Sequence, residues 1–416
     1  MQKILLLIAS LFYFNFILAK NEIKSWQGIH ETPLSCLEQQ FAEPPVEFAN
    51  HVIWGWEGKM DKKTICNDLD SIKKKGFRAV IFEAGYKLPF KYLSEEWFKA
   101  IRTGVVEAKK RDMKVWIIDE GKYPSGFAGG KFSQERPDLR MQALVIGDTI
   151  QIKRREVMTN HKIAPEIISA VAVSTSGAPN RTVEINNGKI SFNAGLDDWK
   201  ILLVKSDFRT AVTRAVNNPN GGKDATNSLC DYLNPIAVQQ FIDWTHEQYK
   251  KYLGKELGTT VLGFRGDEPD YAHLPWTPSI VQTFKETKGY NPTPYLASFF
   301  TASPTIQEQR VKADYWDVWS SLFATHFFKL QADWCAANGV AHITHLNKEH
   351  EMPACVKAEG DYFRALSKVQ IPGVDAIWNQ IWPGTLNDFP KLASSVAHVY
   401  GKPRAFSESF AAYHIS

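Results

Sequence analysis

Cysteine is sparse in this 416-residue chain: Cys36, Cys66, Cys230, Cys335 and Cys355 lie far apart, and no two form a CxxC pair. That spacing excludes a disulfide framework and a zinc site built on paired cysteines. Charge of one sign is lacking too. The 49 Lys and Arg residues against 45 Asp and Glu leave a formal charge of +4, scattered along the chain. So small an excess gives little electrostatic reason to bind nucleic acid. Long apolar stretches are missing after one at the start. Residues 4–19 form an apolar run between Lys3 and Lys20, too short for a comfortable membrane span, with the small residue Ala19 at its end. This is the pattern of a secretory signal peptide, and no cysteine near Ala19 invites lipoprotein processing. The mature protein is therefore expected to be secreted or periplasmic, with no integral membrane span.

Several motifs are absent as well. No G-x-G-x-x-G follows the first predicted strand; the nearest Gly-rich loop, Pro124-Ser125-Gly126-Phe127-Ala128-Gly129-Gly130, has the wrong spacing and reads as a tight strand-to-helix turn. No organic cofactor is expected. No G-x-S-x-G supplies a serine nucleophile. His342 and His345 are three apart on a predicted strand, so they point to opposite faces and cannot chelate together, and His345 and His350 lack zinc-protease spacing.

What the chain has is an alternation of strands and helices. Short apolar runs at residues 51–54, 79–82, 114–118, 260–264, 340–344, 374–378 and 404–407 are separated by helical patterns. Residues 61–75 place Ile65, Leu69 and Ile72 at helical spacing with Asp61 as cap and Gly76 as stop. Residues 94–111 repeat the design with Trp97, Ile101, Val105 and Ala108, and Asn234-Pro235 opens another helix. Such units predict parallel strands covered by helices, hence an α/β fold of the (β/α)8 TIM-barrel type. A doubly wound open sheet is the alternative. Seven strands are visible, so the barrel is expected to be incomplete.

One segment breaks the rhythm. Short strands at residues 149–152, 168–173, 182–185, 189–192 and 200–205, with a hairpin signal at Asn186-Asn187-Gly188, predict a small β-rich insertion between barrel strands three and four. The loop at residues 217–222 returns the chain to the barrel. The expected division is a signal peptide at 1–19, an irregular entry at 20–47, the first part of the barrel at 48–144, the insertion at 145–215 and the second part at 216–416.

In such a barrel the active site gathers at the carboxyl ends of the strands. Trp56 and Glu57, Glu83, Asp119 and Glu120, Asp267 and Glu268, His345 and Asn347, Asn379 and Glu408 fall there. A mouth crowded with carboxylates and aromatics is what glycoside hydrolysis asks for, one carboxyl group protonating the departing oxygen while a second attacks the anomeric carbon or activates water. Glu268, in Gly266-Asp267-Glu268-Pro269, and Glu408, in Phe406-Ser407-Glu408-Ser409-Phe410, stand out as the catalytic pair because their strands can face each other across the mouth. Glu83, Asp119 and Glu120 bind sugar hydroxyls or position loops, and Asp267 and His345 join the candidate substrate-binding set. Trp54, Trp56, Tyr123 and Trp378 are candidate sugar platforms. Asp375 falls at the start of its predicted strand and is read as structural. A cluster of mouth carboxylates can hold calcium through oxygen ligands, but the sequence does not choose its members.

Those residues carry a resemblance. Trp54-Gly55-Trp56-Glu57-Gly58, then Asp119-Glu120-Gly121-Lys122-Tyr123-Pro124-Ser125-Gly126, then Gly266-Asp267-Glu268-Pro269, Ile371-Pro372-Gly373-Val374-Asp375 and the stretch from Ala393 to Tyr413 resemble glycoside hydrolase family 106, the bacterial α-L-rhamnosidases. The resemblance covers most of residues 48–144 and 230–413. It implies a (β/α)8 catalytic domain that removes terminal α-L-rhamnose from plant-type glycans with inversion, helped by calcium. It further implies Glu268 as general acid and Glu408 as general base, with a carbohydrate as the partner. Chains similar to this one continue past the position of Tyr413 to finish the barrel, so a truncated carboxy terminus is expected. Two alternatives remain: a retaining β-glycosidase on a similar barrel, and a glycan-binding relic without catalysis. The oligomeric state is not legible.

Overall fold

The computed structural model describes residues 33–43, 50–121, 123–209, 213–214, 223–224, 228–269, 271, 274–377, 380–381, 384 and 387–409. The expected signal peptide, the loop at 217–222, Trp378, Asn379 and residues 410–413 of the last motif lie outside the described residues. Among the described residues, no helix is long and apolar enough to cross a membrane.

The first three strands of the main sheet are β1 (His51–Trp56), β2 (Ala79–Ala84) and β3 (Lys114–Ile118). An interruption follows, made of β4 (Gln142–Ile152), β5 (Val157–Lys162), β6 (Ile167–Ser174), β7 (Arg181–Thr182), β8 (Lys189–Asn193), β9 (Trp199–Phe208) and the short pair β10 (Thr213–Arg214) and β11 (Lys223–Asp224). The main sheet resumes with β12 (Val261–Asp267), and β13 (Pro275–Trp276) returns to the insertion. It ends with β14 (Ala341–His345), β15 (Ile371–Ala376) and β16 (Phe406–Ser409).

All seven expected strands exist, and they form one parallel sheet in the order β1-β2-β3-β12-β14-β15-β16. The sheet curls into a half-barrel rather than a closed (β/α)8 barrel: among the described residues β1 and β16 are its two edges. Its concave side is lined by Ile81, Trp116, Ile118, Leu262, Ala341, Ile343 and Ile371, with Phe406 packed against them. Two glycines permit this packing. A Cβ on Gly263 would lie 1.9 Å from the Ala341 carbonyl oxygen, and one on Gly373 would lie 2.1 Å from the Phe406 ring. The convex side packs against the helices.

Helix starts follow their caps. Asp61 accepts from Thr64 N at 2.9 Å to open Lys62–Lys74, and Ser94 accepts from Trp97 N at 3.3 Å to open Glu95–Lys110. Asn234 caps Pro235–Trp244, which breaks at Thr245 and continues as His246–Leu253. The long helical stretch expected from about 306 to 338 runs as Ile306–Leu322 and Lys329–Ala337, joined by a π-helical turn over Phe323–Phe328. Within the entry segment expected to be irregular, Leu34–Ala42 is helical with no buried side chain.

The insertion is an antiparallel sheet in the order β13-β4-β9-β6-β7 with a separate antiparallel β5-β8 pair, around its own core of Ile152, Ala170, Trp199, Ile201 and Leu203 among others. Asn187 at φ 50° and Gly188 at φ 69° form the predicted turn, closed by hydrogen bonds between Asn186 and Lys189. Beyond that bridge the expected pairing fails. The strand before the turn is confined to Arg181–Thr182, which pairs with β6, and β8 pairs with β5, whose polar run from Thr159 to Lys162 hid it from the sequence reading.

The sixth main strand also differs. It runs over Ile371–Ala376, not 374–378, because Pro372 and Gly373 interrupt the apolar run in sequence without breaking the pairing: Pro372 faces Thr344, and Gly373 faces Phe406. Asp375 therefore sits at the carboxyl end of its strand, not at its start.

Candidate active site

Period-two alternation decides which residues reach the mouth. Two residues past the concave-side Ile81, Ile343 and Phe406 come Glu83, His345 and Glu408. Gly373 and Asp375 follow Ile371 in the same phase. In β12 a bulge between Val261 and Gly263 shifts this phase: Leu262 lines the concave side, Phe264 belongs to the convex-side core, and Arg265 and Asp267 face inward.

These inward residues meet at one histidine. His345 Nε2 lies 3.0 Å from Arg265 Nη2, 3.1 Å from Glu408 Oε2 and 3.2 Å from Asp267 Oδ1. Arg265 Nη2 also donates directly to Glu408 Oε2 and stands 3.6 Å from Asp267 Oδ1. On the other side of the ring, Nδ1 is 3.1 Å from the Leu346 carbonyl oxygen and 3.7 Å from Glu349 Oε1. Glu349 Oε1 in turn accepts from Leu346 N at 2.9 Å and Asp375 N at 3.4 Å. Arg265 and His345 are nearly inaccessible, at 2% and 1% exposure, so both must be paired within the protein.

The electrostatics follow. Burial alone would lower the His345 pKa and the Arg265 charge does too, but hydrogen bonds to Asp267, Glu349 and Glu408 outweigh them and hold it well above the usual range. Burial pushes Glu408 up, yet the Arg265 charge and the His345 hydrogen bond outweigh it and hold the carboxyl below its ordinary value. Glu268 goes the other way. Burial pushes it up to about 9, with His345 pulling down and Asp267, Asp375 and Glu349 pushing further up. Asp375, register partner of Glu408, is raised to about 6 by burial first and then by its acidic neighbours, against the pull of His345. Glu268 also carries a φ of +40°, a strained conformation for a residue with a side chain and of the kind that accumulates at functional sites.

The other expected site residues divide. Glu83 reaches the mouth and contributes to the field at Arg265. Tyr123 joins the loop after β3 to the loop after β14, receiving a hydrogen bond on its hydroxyl from Asn347 Nδ2 at 3.1 Å. Asp119 and Glu120, by contrast, are fully buried. The Ser125 hydroxyl donates to Asp119 Oδ1 at 2.7 Å and accepts from Asp267 N at 2.7 Å, tying the Gly-rich loop to the end of β12. Glu120 accepts from Gly121 N at 2.6 Å, Gly129 N at 3.0 Å and Ala128 N. Burial raises Asp119 to about 7 and Glu120 to about 8. Both position the loop; neither is open to a sugar.

Trp54 and Trp56 do not serve as platforms. They share the outward phase of β1, so Trp56 is fully buried against Phe82 and Trp97, at centroid distances of 5.0 and 5.7 Å. Trp54 packs on the same core, 5.4 Å from Trp56. Glu57, just past the strand, accepts from Tyr86 N at 3.2 Å. Arg265 and Glu349 escaped the sequence reading, and Asp375 was read as structural. An arginine directly after the apolar run 260–264, within β12, was the available signal for the first.

The calcium ion implied by the resemblance does not fit this cluster. Asp267, His345 and Glu408 bring one ligand atom each to within 4.8 Å of one another, the sole such group among the described residues. Calcium takes about six to eight oxygen ligands. Here one of three donors is a ring nitrogen, and the Arg265 guanidinium already lies among them.

The chain is similar to several known proteins. The chain is 23% identical over 430 residues to a protein of Formosa agariphila named putative beta-glucuronidase, covering 90% of this chain and 35% of that one. The solved structure of rhamnosidase from Novosphingobium sp. PP1Y superposes with a TM-score of 0.66 at 15% identity, covering 91% of this chain and 53% of that one. The chain thus spans about a third of the curated relative and about half of the solved structure. The model of glycoside hydrolase family 106, described as alpha-L-rhamnosidase, matches residues 157–416. That match takes in most of the β insertion, which the sequence motifs passed over, and begins after the first three strands. The chain belongs to glycoside hydrolase family 106.

Proposed function

We propose that this chain carries the catalytic machinery of a secreted or periplasmic glycoside hydrolase that removes terminal α-L-rhamnose from plant-type glycans with inversion. The observation that carries the reading is the opposite surroundings of two glutamates at one mouth. Burial pushes Glu268 up to about 9, while the Arg265 charge and the His345 hydrogen bond hold Glu408 below its ordinary value. Two carboxyl groups whose surroundings drive their pKa values apart are matched to acid and base roles.

In this mechanism Glu268 gives its proton to the glycosidic oxygen as the bond to the anomeric carbon breaks. Glu408 takes a proton from the water that attacks the same carbon from the opposite face. The aglycone leaves with the proton from Glu268, the sugar retains the water oxygen, and exchange with solvent restores both carboxyls. His345 and Arg265 orient Glu408. No step is routed through calcium.

The name of the Formosa agariphila relative favours a second reading, hydrolysis of β-glucuronides on the same pair. One experiment separates them: the purified protein is assayed on 4-nitrophenyl α-L-rhamnoside and 4-nitrophenyl β-D-glucuronide, beside Glu268→Gln. Release of nitrophenol from the rhamnoside alone, lost in the variant, supports the first reading. Release from the glucuronide alone replaces it with the second. A parent protein inactive on both refutes both.

A further inference from the structure

The mouth gathers six carboxyl groups, Glu83, Asp267, Glu268, Glu349, Asp375 and Glu408, around one histidine and one arginine. We propose that Arg265 is the resident cation of this mouth: a positioning residue that fixes the orientation and charge of Glu408 and closes the Asp267–His345–Glu408 cluster to metal ions. The first half rests on the reading of Glu408 as base; the second stands without it.

The placement of Arg265 carries the argument. It lies one layer below the mouth on the concave side of β12, with 2% of its surface exposed, so water cannot solvate its charge. Its Nη2 reaches Glu408 Oε2 from β16, His345 Nε2 from β14 at 3.0 Å and Asp267 Oδ1 of its own strand at 3.6 Å. Glu83 from β2 and Asp119 after β3 add to the field around it. A guanidinium keeps its charge across the whole working pH range and has a fixed planar shape, so it holds a carboxylate in one orientation more firmly than a lysine ammonium, which supplies the charge without the fork. A divalent ion bound to the three ligand atoms would sit about 2.0–2.5 Å from each, in the space Nη2 fills and beside a second buried cation. The cluster has the donors of a metal site with the metal's place taken.

The test has two arms. In the first, calcium chloride is titrated into the chelator-treated protein and into Asp267→Asn while the melting temperature is followed. The expected result is no shift in either, or the same shift in both, which places any calcium elsewhere. A shift in the parent that Asp267→Asn abolishes overturns the closed cluster. This arm needs no activity, so it decides even if the proposed reaction is wrong. In the second arm, Arg265→Met and Arg265→Lys are compared on the substrate that the parent hydrolyses. Arg265→Met is expected to lose at least a hundredfold in kcat with KM within about threefold, and Arg265→Lys to recover at least a tenth of the parental kcat. A folded Arg265→Met with kcat within tenfold of the parent, or a folded Arg265→Lys as poor as the methionine variant, overturns the positioning role. Should Arg265→Met fail to fold, the lysine variant alone decides.

Discussion

Glu408 Oε2 receives two buried donors at once, His345 Nε2 at 3.1 Å and Arg265 Nη2. The two come from neighbouring strands, β14 and β12, and the carboxylate from β16, the far edge of the sheet. The edge strand, whose residues alternate between half-buried and exposed, is thereby anchored by charge at its mouth end. Charge-assisted hydrogen bonds of this kind contribute roughly twice as much as neutral ones. Loss of either donor therefore loosens Glu408 and the strand that carries it.

Replacing Glu268 with Gln removes the proton donor while keeping its shape. With ordinary alkoxide leaving groups kcat should fall by about 10²–10⁴, and by far less with a dinitrophenyl leaving group that departs without protonation. The parent's kcat/KM should decline on the alkaline side as Glu268, held up to about 9, loses its proton. In the variant that limb should vanish. An unchanged alkaline limb in Glu268→Gln would assign the acid elsewhere.

The same substitution should change stability in a pH-dependent way. The unfolded carboxyl titrates near 4.5, and the folded one near 9, so between those values folding must bring a proton with it. That contribution is full below the unfolded value and is lost as pH rises towards the folded one. Glu268→Gln, with nothing to titrate, should therefore gain melting temperature over the parent at pH 8 and show little difference at pH 4. Parallel melting curves across that range would contradict the raised pKa.

Trp56→Ala tests the packing role assigned in place of sugar stacking. Truncating a fully buried aromatic costs about 3–5 kcal/mol, so the melting temperature should drop steeply. At a temperature where the variant stays folded, KM should remain at the parental value. A rise in KM without loss of stability would restore Trp56 to the binding site.

Glu120→Ala leaves the backbone N–H groups of Gly121, Ala128 and Gly129 without their shared acceptor. Each buried donor so exposed costs on the order of 1–3 kcal/mol. Faster proteolytic nicking within residues 121–130, measured by mass spectrometry of limited digests, is the expected sign. A loop as resistant as the parent's would contradict the clamp.

Much of this was legible in the sequence because the main strands are apolar and their helices are capped by Asp61, Ser94 and Asn234. Glu268 and Glu408 were expected at strand ends, and they stand there, just past β12 and within β16. What failed did so for local reasons. Pro372 and Gly373 hid the start of β15, and a slip of three residues put Asp375 at the start of its strand instead of at its mouth end. Trp54 and Trp56 sit at a strand end but in the outward phase, so position without phase misled. Arg265 follows directly on the apolar run 260–264, and only the fold supplies the three partners that make it tolerable there.

The most direct test of the account is the anomeric configuration of the first sugar released. Hydrolysis of an aryl α-L-rhamnoside by the purified protein, followed by proton NMR from the first minute, should show β-L-rhamnose appearing before mutarotation, as water delivered by Glu408 inverts the centre. Initial release of α-L-rhamnose would contradict the account, because it would make Glu408 a nucleophile rather than a base.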